Sequence, residues 1–328
     1  MGMKTVFSGI QPSGNLHIGN YIGAISQWVK MQEGNSCIFC IVDLHAITVP
    51  QDPKVLREKV KEVAAIYLAS GIDPKKSHIF IQSQNADHPY LAWIFNTILS
   101  MGQLQRMTQY KEKKSKHEEE SESVGLFDYP ALMASDILLY DPDEVPVGED
   151  QKQHIELTRD IAEKFNKTFG ETFKLPNPRI SKDTARIMSL QSPDKKMSKS
   201  DIDPLGTINI LDSDDEISEK VKKAVTDSGS KVGENGSAGL SNLLTIYAAL
   251  KDVSLEASVS ENDGKSYSAF KNDLTVLLVS KLSPIRQKYE EIRKDEKYLN
   301  EVLSKGLEFA MGKSTKKIRD VREKVGLI

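Results

Sequence analysis

The sequence predicts an α/β protein: a doubly wound parallel sheet with a mainly helical insertion, followed by a helical region. Three observations carry this expectation. Short apolar runs alternate with amphipathic stretches through residue 82, the strand–helix–strand–helix–strand order of a parallel sheet. Strand signals fade after about residue 206, where helical spacing alone continues. A length of 328 residues exceeds one typical core and suits two domains.

TVFSGI (5–10) reads as the first strand, and QPSGN (11–15) has the Pro, Ser, Gly and Asn of a turn. LHIGNYIGAISQWVK (16–30) places Ile18, Ile22, Ile25 and Val29 at helical spacing. CIFCIVDLHA (37–46) is the second strand candidate. VLREKVKEVAAIYLAS (55–70) is an amphipathic helix closed by Gly71, and HIFIQ (78–82) is the third strand. The stretch at about 85–143 is mainly helical. It contains KEKKSKHEEESES (111–123), a charge-dense segment with almost nothing to bury, expected as a solvated loop. LMASDILLY (132–140) returns to core. EVPV (144–147) reads as a short strand, and GEDQKQHIELTRDIAEKF (148–165) as a helix with an acidic first turn. RIMSL (186–190) is expected to be the last strand. Beyond it come the helical patterns ISEKVKKAV, NLLTIYAAL and FKNDLTVLLVSKLSPIRQKYEEI, the Gly/Ser-rich connection SGSKVGENGSAG, and the basic tail KSTKKIRDVREKV. The chain therefore divides into a Rossmann-like domain over 1–205, with its helical insertion at about 85–143, and a helical domain over 206–328.

The composition bounds the function. Hydrophobic residues make up 39% and charged residues 28%, as in a folded globular chain. With 44 basic and 47 acidic residues the net charge is −3, so any nucleic-acid contact needs a local basic face. Cys37 and Cys40 are the only cysteines. They fall in an apolar run, and strand residues three apart point to opposite faces, so core thiols are expected rather than a metal pair or disulfide. No run is long enough to span a bilayer and no leader segment is visible, so no membrane association and a cytoplasmic location are expected. No His, Cys, Asp or Glu set has metal-ligand spacing; Asp43 and His45 alone do not make a site.

Two stretches carry chemistry. GNLHIGN (14–20) is a glycine-bearing strand-to-helix turn whose free N–H groups suit a phosphate. It is neither a Walker A loop nor a dinucleotide fingerprint, since Asn20 and Tyr21 follow Gly19. DKKMSKSD (194–201) sets Lys196 and Lys199 in a small, flexible loop, where lysines act as mobile point charges able to close over a polyphosphate.

H-I-G-N at 17–20 and K-M-S-K-S at 196–200 together resemble the paired signature of class I aminoacyl-tRNA synthetases, with Asn20 where the family usually has histidine. FSGIQPSGNLHIGNYIGA (7–24), YPALMASDILLY (129–140), VPVGEDQKQHIELTRDIAEKFN (145–166) and AVTDS (224–228) narrow the likeness to bacterial tryptophanyl-tRNA synthetases, over nearly the whole chain.

That resemblance implies a ligase that activates L-tryptophan with ATP and Mg²⁺, then charges tRNA(Trp), as a homodimer with an anticodon-binding C-terminal domain. Lys196 and Lys199 are the implied catalytic residues, stabilising the phosphate transition state. Gln11, Pro12, Ser13, Gly19 and Asn20 would line the ATP site from the first motif. Gly148, Glu149 and Asp150 would hold the ribose and adenosine side, Ile187 would pack on adenine, and Met197, Ser198 and Ser200 would complete the loop. Lys113 matches a family lysine that reaches ATP, although a solvated role fits its charge run equally.

Asp136, in MASDILLY, is a carboxylate among apolar residues and needs a buried partner. The resemblance makes that partner the indole N–H, with Phe7, Met133, Val145 and Val147 as walls and Tyr129 and Gln151 at the amino and carboxylate end. Tyrosyl-tRNA synthetases typically carry tyrosine at the position of Phe7, so its missing hydroxyl favours tryptophan. Alternatives are a tyrosyl enzyme, a non-catalytic RNA-binding paralogue that kept the fold, and a related nucleotidyl transferase. His45 either borders the site or is structural, and His154 is read as structural. The basic tail either meets RNA phosphates or is a solvated helix face.

Overall fold

A computed structural model describes residues 3–107, 123–180, 186–199, 203–233 and 236–328. Strand β1 (Lys4–Ile10) leads into α1 (Ile18–Asn20), a π turn (Tyr21–Ile25) and α2 (Ser26–Met31). Then follow β2 (Asn35–Ile41), α3 (Asp43–Ala46), α4 (Pro53–Ala69), β3 (Ser77–Ile81), α5 (Asp87–Asn96), α6 (Met101–Gln105) and α7 (Val124–Leu138). Next come β4 (Glu144–Val147), α8 (Lys152–Phe169) and β5 (Asn177–Ile180). The rest is helical: α9 (Asp214–Lys223), α10 (Ala238–Lys251), α11 (Leu255–Asn262), α12 (Tyr267–Lys294) and α13 (Glu296–Lys324).

The strands form one sheet in the order β3-β2-β1-β4-β5, and every pairing is parallel. This is the doubly wound arrangement expected from the strand–helix alternation. β2 is buried on both faces. Cys37, Phe39 and Ile41 join one apolar cluster with α4 and the C-terminal helices, while Ile38 and Cys40 join the other with α7 and α8. The two cysteines therefore sit on opposite faces, buried and unpaired, as the strand period requires. Local chemistry sets the helix starts. Asp52 accepts from the Lys54 and Val55 amides at the head of α4, with Pro53 in the first turn, and Ser213 and Glu216 form a capping box on α9.

Two expectations are corrected. RIMSL (186–190) is not a sheet strand: Met188 makes a single antiparallel bridge to Lys196 instead. The fifth strand is Asn177–Ile180, an edge strand that is largely exposed and contains Pro178, so it lacks the apolar alternation that marks a strand. The 16–30 stretch is helical as expected, but it opens into a π turn at its centre.

Helix α13 lies along β3 at the sheet edge. A Cβ at Gly306 would stand 1.9 Å from the Ile79 carbonyl oxygen, so only glycine permits this approach. Part of the basic tail is spent on packing: Lys317 pairs with Asp141 at 2.6 Å, and Ile318 and Val321 are buried. No helix among the described residues is long and apolar enough to cross a membrane.

Candidate functional site

The strand order reverses between β1 and β4, and the crevice outside the carboxyl ends of such strands is where doubly wound sheets receive ligands. The turn after β1 forms one wall. Gln11 donates through Nε2 to the His45 carbonyl at 2.9 Å, and Pro12 is buried. Gly14 has φ +61, and a Cβ there would meet Lys199 Cβ at 2.8 Å. Glycine thus serves twice, giving the left-handed turn and leaving room for the lysine loop. His17 caps α1: its Nδ1 accepts the Gly19 amide at 3.1 Å, and Asn20 Oδ1 accepts the His17 amide at 3.1 Å. Burial, then the charges of Lys199 and Lys196, push the His17 pKa down to about 4. The ring is neutral at physiological pH, and with Nδ1 occupied as an acceptor its proton is assigned to Nε2.

The lysine loop is the facing wall, and backbone pairing puts it there. Ser189 N–H donates to Lys195 O at 2.8 Å and Met197 N–H to Ile187 O at 3.0 Å, making a short hairpin. Asn242 on α10 grips Met188 at both backbone groups. Downstream, residues 207–210 run antiparallel to 16–18: Ile18 N–H donates to Ile208 O at 2.8 Å and Ile210 N–H to Leu16 O at 2.9 Å. Ile187 and Met197 are buried beneath the hairpin, so the apolar character of RIMSL reflects anchoring of the loop.

Lys199 donates through Nζ to the Gln11 carbonyl at 2.8 Å, which ties the lysine loop to the turn that leads into the first motif. Burial, reinforced by repulsion from Lys59, pushes the Lys199 pKa down to about 8. Lys196 reaches across to Asp150 Oδ1 at 3.4 Å, a half-exposed pair. Burial opposes ionisation of Asp150, but the Gln151 hydrogen bond and the Lys196 charge outweigh it and hold the carboxyl below its ordinary range. Gly148, Glu149 and Asp150 follow β4 directly and complete the rim. Ser13, Gly19 and Asn20 are half-buried and Ser198 is exposed. Lys113 and Ser200 lie outside the described residues, as does most of the charge-dense 111–123 segment. Among the described residues, no group of three or more His, Cys, Asp or Glu side chains could hold a metal ion.

Asp136 sits behind this cleft on α7, 2% exposed. Oδ1 accepts from Gln82 Nε2 and takes a second contact from His88 Nδ1, both at 2.6 Å, and Oδ2 meets His45 Nε2 at 2.8 Å. Burial raises its pKa, but the hydrogen bonds from His45 and His88 win, and the net shift is downward: the carboxylate stays ionised. The sequence left His45 open between two roles; the structure puts it on Asp136. Gln82 and His88 were missed. Gln82 carried one usable signal, its position immediately after a parallel strand.

Phe7 and Val145 are buried close by, with Met133 and Val147 half-buried, and Phe7 stacks on Tyr140 at 5.3 Å. The Tyr129 hydroxyl meets His154 Nε2 at 2.7 Å, and Gln151 Nε2 donates to Asp150 at 3.1 Å.

A turn and a lysine-bearing hairpin apposed at the switch point of a parallel sheet, beside a buried cluster of polar and apolar side chains, are the arrangement of a nucleotide-binding α/β protein. The chain belongs to the tRNA synthetases class I (W and Y), whose family model matches residues 3–283. A Tryptophan–tRNA ligase of Caldanaerobacter subterraneus subsp. tengcongensis is 51% identical over 328 residues, covering 99% of each chain. Among solved structures, the tryptophanyl-tRNA synthetase of Mycoplasma pneumoniae superposes with a TM-score of 0.91 at 37% identity, covering 99% of this chain and 98% of that one. The enzyme of Campylobacter jejuni, solved with ADP and tryptophan, gives 0.83 at 37% identity, covering 98% and 99%. The resemblance read from the two signature motifs is borne out over the full length.

Proposed function

We propose that this protein is a tryptophan–tRNA ligase, which activates L-tryptophan with ATP and transfers the aminoacyl group to tRNA(Trp). The observation that carries this reading is the contact of Lys199 with the Gln11 carbonyl, because Gln11 in turn holds the His45 carbonyl and the His45 ring meets the buried, ionised Asp136.

In the activation step a tryptophan carboxylate oxygen bonds to the α-phosphorus, and the bond from that phosphorus to the bridging oxygen of pyrophosphate breaks. A carboxylate is already ionised, with a pKa of roughly 3.5, so no side-chain nucleophile or base is needed. Catalysis reduces to alignment and to positive charge facing the pentavalent phosphorus. Lys196 and Lys199 supply that charge. Neutral His17, Gln11, Ser13, Gly19 and Asn20 line the phosphate path, Pro12 shapes the turn, and Gly148, Glu149 and Asp150 meet the ribose and adenosine side. Ile187 packs on adenine, with Met197, Ser198 and Ser200 completing the loop. Mg²⁺ enters with the triphosphate as part of the substrate, in keeping with its preference for phosphate oxygens over dedicated protein cages.

Asp136 accepts the indole N–H. Phe7, Met133, Val145 and Val147 form the walls, and Tyr129 and Gln151 the polar end. The helical region over 206–328 serves as the anticodon-binding domain. A homodimer is supported by exposed apolar residues on the insertion, Tyr90, Trp93, Met101 and Val124, and the cytoplasm is the expected location.

Amino-acid-dependent ATP–pyrophosphate exchange tests the reading. Exchange is expected with tryptophan and at most weakly with tyrosine. No exchange with either would remove the enzymatic reading, and exchange with tyrosine alone would remove the specificity.

A pH dependence follows from Lys199. Its free-enzyme pKa of about 8 means that the ammonium is lost as pH rises through that value. The kcat/KM for ATP, which reports free-enzyme groups, should therefore fall about tenfold per unit above pH ~8. Lys199→Arg keeps its charge throughout and should lack that limb. An identical limb in the arginine variant would show that another group titrates.

A further inference from the structure

Asp136 does not stand alone in its pocket. An ionised carboxylate offers about four lone-pair directions. Three are taken: two on Oδ1, by Gln82 and His88, and one on Oδ2, by His45. One direction on Oδ2 remains for a substrate donor.

His88 is fully buried and both its ring nitrogens are engaged. Nδ1 meets Asp136 Oδ1 at 2.6 Å, and Nε2 meets the Tyr140 hydroxyl at 2.8 Å. The hydrogens can be placed along the whole chain with none left over. The proton of His88 is assigned to Nδ1, which donates to Asp136, leaving Nε2 to accept from the Tyr140 hydroxyl. Tyr140 accepts in turn from Asn85 Nδ2 at 3.2 Å. That same amide donates to Ser314 Oγ on α13 at 3.0 Å, and Ser314 donates to Asp87 at 2.6 Å. The Ser135 hydroxyl, next to Asp136 in sequence, donates to the His88 carbonyl at 2.7 Å and fixes the backbone as well. Every member is buried or half-buried, so an unmade bond would leave a polar group without water.

We propose that His88 is a positioning residue for amino-acid selection. With Tyr140 locking its ring, it holds the Asp136 carboxylate in the one rotation that leaves an Oδ2 lone pair for the substrate N–H. The inference rests on the reading of Asp136 as the indole acceptor. His88 itself touches no substrate. Without it, Asp136 can turn, and the site loses its preference for an N–H donor over an isosteric ring that lacks one.

The test compares tryptophan with β-(3-benzothienyl)alanine, whose ring carries sulfur in place of the N–H, in the exchange assay. The variants are His88→Leu, which removes both bonds, His88→Asn, whose amide can restore the donor to Asp136, and Tyr140→Phe, which removes only the lock. His88→Leu should lower kcat/KM for tryptophan at least ~30-fold and shrink the preference over the sulfur analogue ~10-fold, with the KM for ATP changed less than ~2-fold. His88→Asn should recover most of the preference, and Tyr140→Phe should lose ~3- to 10-fold of it.

Equal losses for both amino acids in His88→Leu, or an unchanged preference in Tyr140→Phe, would reduce His88 to a packing residue and overturn the proposal. If His88→Leu does not fold, Tyr140→Phe alone decides in the same way. Asp136→Ala separates the two levels. If it leaves the preference intact, the reading of Asp136 fails. If it abolishes the preference while the His88 and Tyr140 variants keep it, this proposal alone fails.

Discussion

Lys196→Ala is expected to slow tryptophanyl-adenylate formation on the order of 100-fold, about 3 kcal/mol of lost transition-state stabilisation. Binding of tryptophan should change less than ~2-fold, because the proposed function assigns this lysine to the nucleotide. The geometry explains why this residue is ready to act. Its Nζ rests 3.4 Å from Asp150 in a pair that is about half exposed on both sides. Such a pair is worth no more than about 1 kcal/mol, so exchanging Asp150 for a phosphate oxygen costs little. Lys199 is different: it is half-buried and tied to the Gln11 carbonyl, so it serves to join the loop to the turn as well as to carry charge. Rapid-quench measurement of a single turnover checks the prediction, and an unaltered rate in Lys196→Ala would remove the lysine from the mechanism.

Asp136→Ala should lower kcat/KM for tryptophan on the order of 1000-fold while leaving the KM for ATP within ~2-fold. Two effects combine. On the proposed reading the substrate N–H loses its acceptor, and His45, His88 and Gln82 lose theirs in a buried setting. The second effect also destabilises the fold, by about 3 kcal/mol for breaking a buried charged network. Steady-state exchange and urea unfolding read the two separately. A variant in which ATP affinity alone fell would place Asp136 on the wrong side of the cleft.

Much of this architecture was legible because it is local. The β1–β4 strands announce themselves by apolar runs next to turn residues, and α4 by its periodicity and caps. β5 was not legible: four residues, mostly exposed, with a proline, leave no period to read. RIMSL misled for the opposite reason. Ile187 and Leu190 are apolar because they bury the base of the lysine hairpin, which looks like a strand until the partner segment is known. The π turn at Tyr21–Ile25 has no residue signature of its own, since the same side-chain spacing serves an α-helix.

The candidate site divides in the same way. Its signature segments were readable as strings, and pairing of 207–210 with 16–18 supplies the reason they meet. The environment of Asp136 was not readable. Its partners come from α3, from the end of β3 and from α5, and nothing in MASDILLY specifies which distant polar groups converge there. The basic tail illustrates the limit again: Lys317 and Lys324 look like phosphate ligands in sequence, yet both donate to backbone and side-chain oxygens of neighbouring loops.

Activation as proposed requires that the first turn and the lysine hairpin act on the same triphosphate. A double-mutant cycle between Asn20→Ala and Lys196→Ala, read in the single-turnover rate of adenylate formation, measures this directly. Two groups engaging one reacting phosphate chain should show a coupling of at least about 1 kcal/mol, with the double variant losing less than the product of the single losses. Strictly multiplicative losses would mean that the two segments work independently, contradicting the shared site.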